Sequence, residues 1–326
     1  MKENIDYNLV SLCWDYKLFG DKLETTDGAT VEIVDTGLYN HNVGPSFFNA
    51  KIKIYKSSNS TSWPLLFVGN VMVLNFSSDW EKYSLYREDG YSNVILAITS
   101  VYEHEIKRND GSAVPQIVVT VPENIRKSYQ VLLSDKGRQS CRNFAKTGIP
   151  LITKFAWTSS MQTEWLYVAS GEMKKTAEKM GWGSTLVTNL TDMVILDGLQ
   201  KRLFKDITKA ASLEILRKLI RDFYSTIGER SNPYKVERTI IHVICPWLFA
   251  YGDSIGDMKL TDRAFDFLEN SKPENTQGLR DWEKVNVANH KGGDSVALRW
   301  LNNQYCDRKK CLICRFGREF MKKYKA

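Results

Sequence analysis

The chain has 326 residues, 43% hydrophobic and 25% charged, with 14 Phe, 15 Tyr and 9 Trp. That composition describes a globular protein able to bury one large core or two ordinary ones, and it excludes disordered and collagenous classes. The net charge of +7 is modest, and no apolar run approaches the length a bilayer needs, so no membrane association is expected. The opening Met1–Asp6 is polar and lacks the apolar stretch of a signal peptide, which points to the cytoplasm. In that compartment the six cysteines read as thiols or metal ligands rather than a disulfide framework.

Apolar spacing over Asn8–Phe19 predicts a helix ahead of a sheet. Asp27-Gly28 signals a hairpin turn into an alternating strand at Thr30–Val34. Ala50–Tyr55 alternates and predicts a strand with one wet face; Val68–Phe76 predicts another. Ser58–Ser62 reads as a polar loop. Asn93–Val101 is almost continuously apolar, as a strand covered on both faces would be. Gln116–Val121, β-branched and bounded by Pro115 and Pro122, predicts a last strand.

After about residue 125 the period changes. Leu186–Phe204 and Leu213–Ile227 carry helical spacing, with Ser212 as a cap for the second. Thr239–Tyr251 predicts a buried helix interrupted at Pro246. Short helices are expected at Arg263–Asn270 and Ser295–Gln304. The fold class is therefore α+β: a strand-rich region over 1–125 with a mixed sheet and flanking helix, then a helical region over 126–326. No repeat or low-complexity linker is visible.

Three words along this chain carry a resemblance. Residues 44–50 read Gly-Pro-Ser-Phe-Phe-Asn-Ala, residues 69–74 read Gly-Asn-Val-Met-Val-Leu, and the chain closes on Tyr305-Cys306, then Cys311-Leu312-Ile313-Cys314-Arg315-Phe316-Gly317. They resemble an uncharacterised bacterial domain family whose corresponding words are Gly-Pro-Asp-Phe-Phe-Asn-Ala, Gly-x-Val-Glu-Ile-His and Tyr-Cys…Cys-Leu-x-Cys-x-x-Gly. Further shared words are Leu248–Gly252, Pro273–Asn275 and Asp294-Ser295, so the matching words fall within 12–105 and 236–320. An Asp followed one strand later by Glu-x-His is in turn similar to the core of the PD-(D/E)XK, or restriction-endonuclease-like, nucleases. There a divalent cation held by carboxylates on adjacent strands polarises a phosphodiester and acidifies an attacking water.

This chain departs from that pattern at the positions that would do the chemistry. Ser46 stands for the Asp, Met72 for the Glu, Leu74 for the His, and Ala97 for a further His on the next strand. The resemblance implies that Ser46 and Met72 lie on neighbouring strands with side chains on one face. It also implies a non-catalytic, nuclease-like protein that binds nucleic acid or an active relative. Glu32, Asp35, Asp79 and Glu103 remain as carboxylates near the old site. They offer the competing reading of a phosphodiesterase with relocated metal ligands, against the plainer one of turn caps and ion-pair partners. His41 and His104 carry the same ambiguity. A protein-interaction role without nucleic acid is the third reading.

Cys306, Cys311 and Cys314 have spacing suited to zinc or an iron–sulfur cluster. A fourth ligand would have to come from Cys141, Cys245, His242 or His290. A metal centre and a structural cluster of buried thiols stand as alternatives. Between Arg299 and Ala326 nine Lys and Arg face two acids. Within that segment Arg308, Lys309, Lys310, Arg315 and Arg318 are candidate nucleic-acid contacts, against a solvated helix end as the plainer reading. Nucleotide-binding glycine loops, a zinc-protease motif and a serine-hydrolase elbow are absent.

Overall fold

Alternation and β-branching between Asp21 and Val118 become a mixed sheet in the computed structural model, which describes residues 7–40, 42–55, 63–193 and 197–322, with the side chains of 135–140 left aside. The chain divides into two units, residues 1–138 with 311–326, and residues 139–310.

In the first unit, α1 (Tyr7–Asp15) precedes β1 (Lys22–Glu24), β2 (Thr30–Asp35), β3 (Leu38–Tyr39), β4 (Phe47–Tyr55) and β5 (Leu65–Phe76). A short helix α2 (Asp79–Lys82) then leads to β6 (Val94–Val101), β7 (Gln116–Val118) and α3 (Glu123–Leu133). The strand order is β1-β2-β4-β5-β6-β7, with β3 on β4. Pairing is antiparallel from β1 to β5 and parallel from β5 to β7. The sheet curls until its two ends touch: Thr25 bridges Ile117, and the Thr26 amide donates to the Gln116 carbonyl at 2.8 Å. The right-handed twist of adjacent strands accumulates in that direction.

Each predicted strand is present. β6 is buried from Val94 to Thr99, as its unbroken apolar run requires. The predicted polar loop at Ser58–Ser62 lies outside the described residues. α1 buries Leu9, Leu12, Cys13 and Trp14. The Trp14 indole meets Phe47 edge-on at 6.5 Å and donates to the Thr36 carbonyl at 3.0 Å.

In the second unit α4 (Asp135–Gly148), which crosses the division, leads to α5 (Leu151–Met180), α6 (Trp182–Leu190), α7 (Asp197–Lys209) and α8 (Leu213–Thr226). Then follow α9 (Pro233–Thr239), a π-helical turn Ile240–Ile244, α10 (Cys245–Ile255), α11 (Met258–Asn270) and α12 (Gln277–Glu283). The unit ends with α13 (Gly292–Leu301) and a second π-helical turn, Asn302–Cys306. Ser212 caps α8 by accepting from the Ile215 amide at 3.3 Å, as its position predicts. The expected interruption near Pro246 is present: the π turn precedes it directly, and Pro246 in the first turn of α10 can donate no hydrogen bond back to that turn. The single helix expected over Leu186–Phe204 is two helices, because α6 ends at Leu190 with Thr191 extended. The last helix, α14 (Arg315–Lys322), returns to the first unit and packs against α3.

Among the described residues no helix is long and apolar enough to cross a membrane.

Candidate functional site

Ser46 lies one residue before β4, and Met72 is in β5, whose Val71 pairs with Phe47. Their side chains touch, with Ser46 Oγ 3.6 Å from Met72 Sδ. Ser46 Oγ also accepts from the Val73 amide at 2.9 Å and lies 2.7 Å from the Tyr7 hydroxyl. The expected juxtaposition on neighbouring strands is therefore present. Leu74 follows two residues after Met72 on the same face, and Ala97 on β6 is the register partner of Met72. All four positions converge on one place in the fold.

That place is apolar. Met72, Leu74 and Ala97 belong to a single buried cluster with Trp80, Leu85, Tyr91, Val94, Ile106 and Val114. Ser46 is itself buried, and its hydroxyl is engaged by the backbone of β5. No group in this cluster offers a hard anionic oxygen to a divalent cation.

The retained words explain themselves as backbone geometry. A Cβ on Gly69 would come within 2.5 Å of Ile95 Cγ2 and 2.7 Å of the Asn93 carbonyl oxygen. The approach of β5 to β6 thus requires glycine there. Asn49 has φ +58°, a left-handed conformation Asn tolerates well, where the β4–β5 register shifts between Phe47 and Ala50. Its amide donates to Asn70 Oδ1 at 3.4 Å, so the two words meet in space. Gly69→Ala is expected to cost about 1–3 kcal/mol by overpacking, read as a lower urea midpoint. An unchanged midpoint would mean that β5 and β6 can separate freely at this point.

The four remaining carboxylates serve local structure. Glu32 accepts from the Tyr55 hydroxyl at 2.7 Å and pairs with Lys53 at 3.4 Å; Tyr55 above all holds its carboxyl below the usual range. Asp35 accepts from the Gly37 amide at 2.9 Å in a turn. Asp79 accepts from the Phe76 amide at 3.1 Å at the head of α2. Glu103 accepts from the Ser78 hydroxyl, and its own amide donates to Ser77 Oγ at 2.8 Å. His104 pairs with Glu81 at 2.8 Å. His41 lies outside the described residues.

A cavity of about 290 Å³ opens beside the cluster, lined by Trp80, Tyr86, Tyr91, Ser92, Arg108, Asn109 and Asp110. Its charged rim is tied to the neighbouring loop. Arg108 donates to the carbonyls of Val94 and Ala113 at 2.8 and 2.9 Å. Asp110 accepts from the Ser112 hydroxyl and amide, which lowers its pKa.

Cys306 closes the second π turn, half-buried; Cys311 is half-buried and Cys314 buried in the segment leading to α14. A Cβ on Gly317 would lie 2.2 Å from the Cys311 carbonyl oxygen, so the last glycine of that word is set by backbone contact. Of the conceivable fourth ligands, Cys245 is wholly buried and its thiol pKa is pushed up by burial, whereas His242 faces Glu274 at 3.2 Å. Among the described residues, no group of three or more His, Cys, Asp or Glu side chains is placed to hold a metal ion.

Among the basic candidates, Arg318 points inward. It pairs with Asp15, donates to the Leu312 carbonyl at 3.3 Å, and lies over the rings of Tyr16 and Tyr39 at 5.3 and 5.1 Å. Burial brings its pKa down to about 10. Arg308, Lys309, Lys310 and Arg315 are exposed.

A family model described as "Protein of unknown function (DUF2851)" matches residues 8–227. The chain belongs to this family. The match spans the curled sheet and continues through α8. It includes most of the middle of the chain, 126–235, where the resemblance in the sequence is weak, and it stops before the words at Leu248–Gly252, Pro273–Asn275 and the cysteines. No curated protein and no solved structure matches the chain.

One further cluster went unrecognised in the sequence. Glu274, between α11 and α12, is 2% exposed and faces Arg238, His242 and Arg299. Burial alone would raise its carboxyl pKa. The His242 hydrogen bond and the charges of His242, Arg299 and Arg238 outweigh that and hold it below the ordinary range. The four residues are spread over 62 positions of sequence, and only the word Pro273–Asn275 marked the place.

Proposed function

We propose that this protein is a non-catalytic member of a nuclease-like lineage that binds nucleic acid. The observation that supports this most is the fate of the substituted positions. Ser46, Met72, Leu74 and Ala97 stand together, as the metal-binding positions of a nuclease core would, and Met72, Leu74 and Ala97 are packed as hydrophobic core. The scaffold was kept while the oxygen ligands were lost. Glu32, Asp35, Asp79 and Glu103 each have a local structural partner, which weighs against a relocated cation site. The net charge of +7 and the exposed Arg308, Lys309, Lys310 and Arg315 favour a polyanionic ligand.

The test has two readouts. Incubation of the full chain with single- and double-stranded DNA and RNA in Mg²⁺ or Mn²⁺ is expected to give no cleavage. Equilibrium binding to the same polymers is expected to weaken steeply with salt, as counterion release requires. Cleavage abolished by Glu32→Ala or Asp35→Ala would establish the relocated-ligand enzyme instead. Absence of salt-dependent binding would leave a protein-interaction role.

A further inference from the structure

Arg238 is on α9, His242 on the π turn that follows it, and Arg299 near the end of α13. All three converge on Glu274, in the second unit. Glu274 is fixed from behind: its amide donates to Ser295 Oγ at 2.9 Å, and its carbonyl accepts from Asn289 Nδ2 at 3.0 Å. Ser295 donates in turn to Asn289 Oδ1 at 2.7 Å. The carboxylate is thus a rigid floor.

The two arginines meet that floor in an unusual way. A structural arginine–carboxylate pair ordinarily presents two parallel N–H groups to the two oxygens. Here each guanidinium approaches through Nε, Arg238 at 3.4 Å from Oε1 and Arg299 at 2.7 Å from Oε2. The Arg299 Nε and Glu274 Oε2 contact is not aligned as a hydrogen bond. Among the described residues the terminal Nη groups of both arginines meet no protein acceptor within hydrogen-bonding geometry. The side chains of Arg238, Arg299 and His242 are 52%, 37% and 29% exposed. The nearest other acid on α9, Glu237, is already held by Arg217 at 2.6 Å and by the Lys272 amide at 3.1 Å. One carboxylate against two guanidiniums leaves the cluster with excess positive charge whichever form His242 takes. The π turn carrying His242 is a local departure from α-helix of the kind that re-aims side chains at sites.

We propose that Arg238, His242 and Arg299 form an oxyanion site for a phosphoryl group, with Glu274 as the buried buttress that orients the two guanidiniums. The phosphoryl group could be a nucleic-acid backbone phosphate, in which case the site deepens the function proposed above, or a free phosphate ester. Both share the trigonal oxygen face that guanidinium N–H groups match, and the Arg238 guanidinium is steadied for it over the Tyr234 ring at 5.8 Å.

Pyrophosphate and a 20-nucleotide DNA are titrated separately into the full chain, the Arg238→Gln/Arg299→Gln double variant and a control variant at the exposed Arg202, Arg202→Gln, with circular dichroism to verify folding. Saturable pyrophosphate binding is expected in the wild type and the control, weakened by about tenfold or more in the double variant, which loses the charged hydrogen bonds of two guanidiniums at once. Arg299→Lys, which keeps the charge but loses the fork, is expected to restore only part of the affinity when compared with Arg299→Gln. DNA affinity falling in parallel would assign the site to a backbone phosphate. DNA affinity unchanged in the double variant would assign it to a free phosphate ester. DNA failing to bind any variant while pyrophosphate binds would overturn the nucleic-acid function and leave the site standing. Pyrophosphate binding that is absent from the wild type, or equal in the folded double variant, overturns the proposal.

Discussion

Met72→Glu, which places a carboxylate where the nuclease resemblance implies one, is expected to destabilise the protein by about 3 kcal/mol at neutral pH rather than to create a metal site. Met72 is buried in the cluster with Leu74, Trp80, Val94 and Ala97, which offers no cation to a charge. The hydroxyl that faces it, Ser46 Oγ, already accepts from the Val73 amide and contacts the Tyr7 hydroxyl. Desolvation would raise the new carboxyl's pKa in the folded state above its unfolded value of about 4.3. The unfolded chain then releases its proton first as pH rises. The loss of stability should accordingly be small below about pH 4, grow as pH rises through the unfolded pKa, and level off above the folded one. Urea unfolding at pH 4 and pH 7.5 reads this directly. A variant equally stable at both, or rescued by millimolar Mg²⁺, would mean that a cation site survives between β4 and β5.

The second large effect is expected at Glu274. Glu274→Ala removes the counter-charge from Arg238, His242 and Arg299. Breaking a buried pair by deleting one member costs about 3–5 kcal/mol. The arginines are partly exposed and water will screen them, so a loss of about 2–3 kcal/mol is expected here. Because the folded carboxyl lies below its ordinary range, its contribution is full above the unfolded pKa of about 4.3 and is lost as pH falls through the folded value. The difference between wild type and variant should therefore begin to shrink only as pH falls below about 4.3 and close once pH is below the folded value. A variant matching the wild-type urea midpoint at pH 7 would show that the arginines, not the glutamate, are the stabilising partners of the α11–α12 connection.

Both sites show how far residue types and spacing can be read. The strands were legible because burial on one or both faces forces period two or an unbroken apolar run, as in Thr30–Asp35 and Val94–Val101. The helix over Leu213–Thr226 was legible because its apolar stripe and Ser212 cap are local features. The 30-residue α5 was not. Its buried face carries Lys154, Thr158, Gln162 and Ser170, and its exposed positions include Leu151, Ile152 and Phe155. Burial there is decided by neighbouring helices rather than by side-chain polarity, so the periodicity that marks an ordinary amphipathic helix is scrambled.

That Ser46, Met72, Leu74 and Ala97 carry neither carboxylates nor imidazoles was determined by the sequence alone, since side-chain chemistry is a covalent fact. That these positions meet was only implied by matching words; strand register brings them together. The tertiary structure alone decided that Met72, Leu74 and Ala97 became core and that Arg318 turns inward to Asp15 across 303 residues. It also decided that Arg238, His242, Glu274 and Arg299 form one charged cluster. Local propensity is written into neighbours along the chain, whereas burial and charge pairing depend on which distant segments pack together.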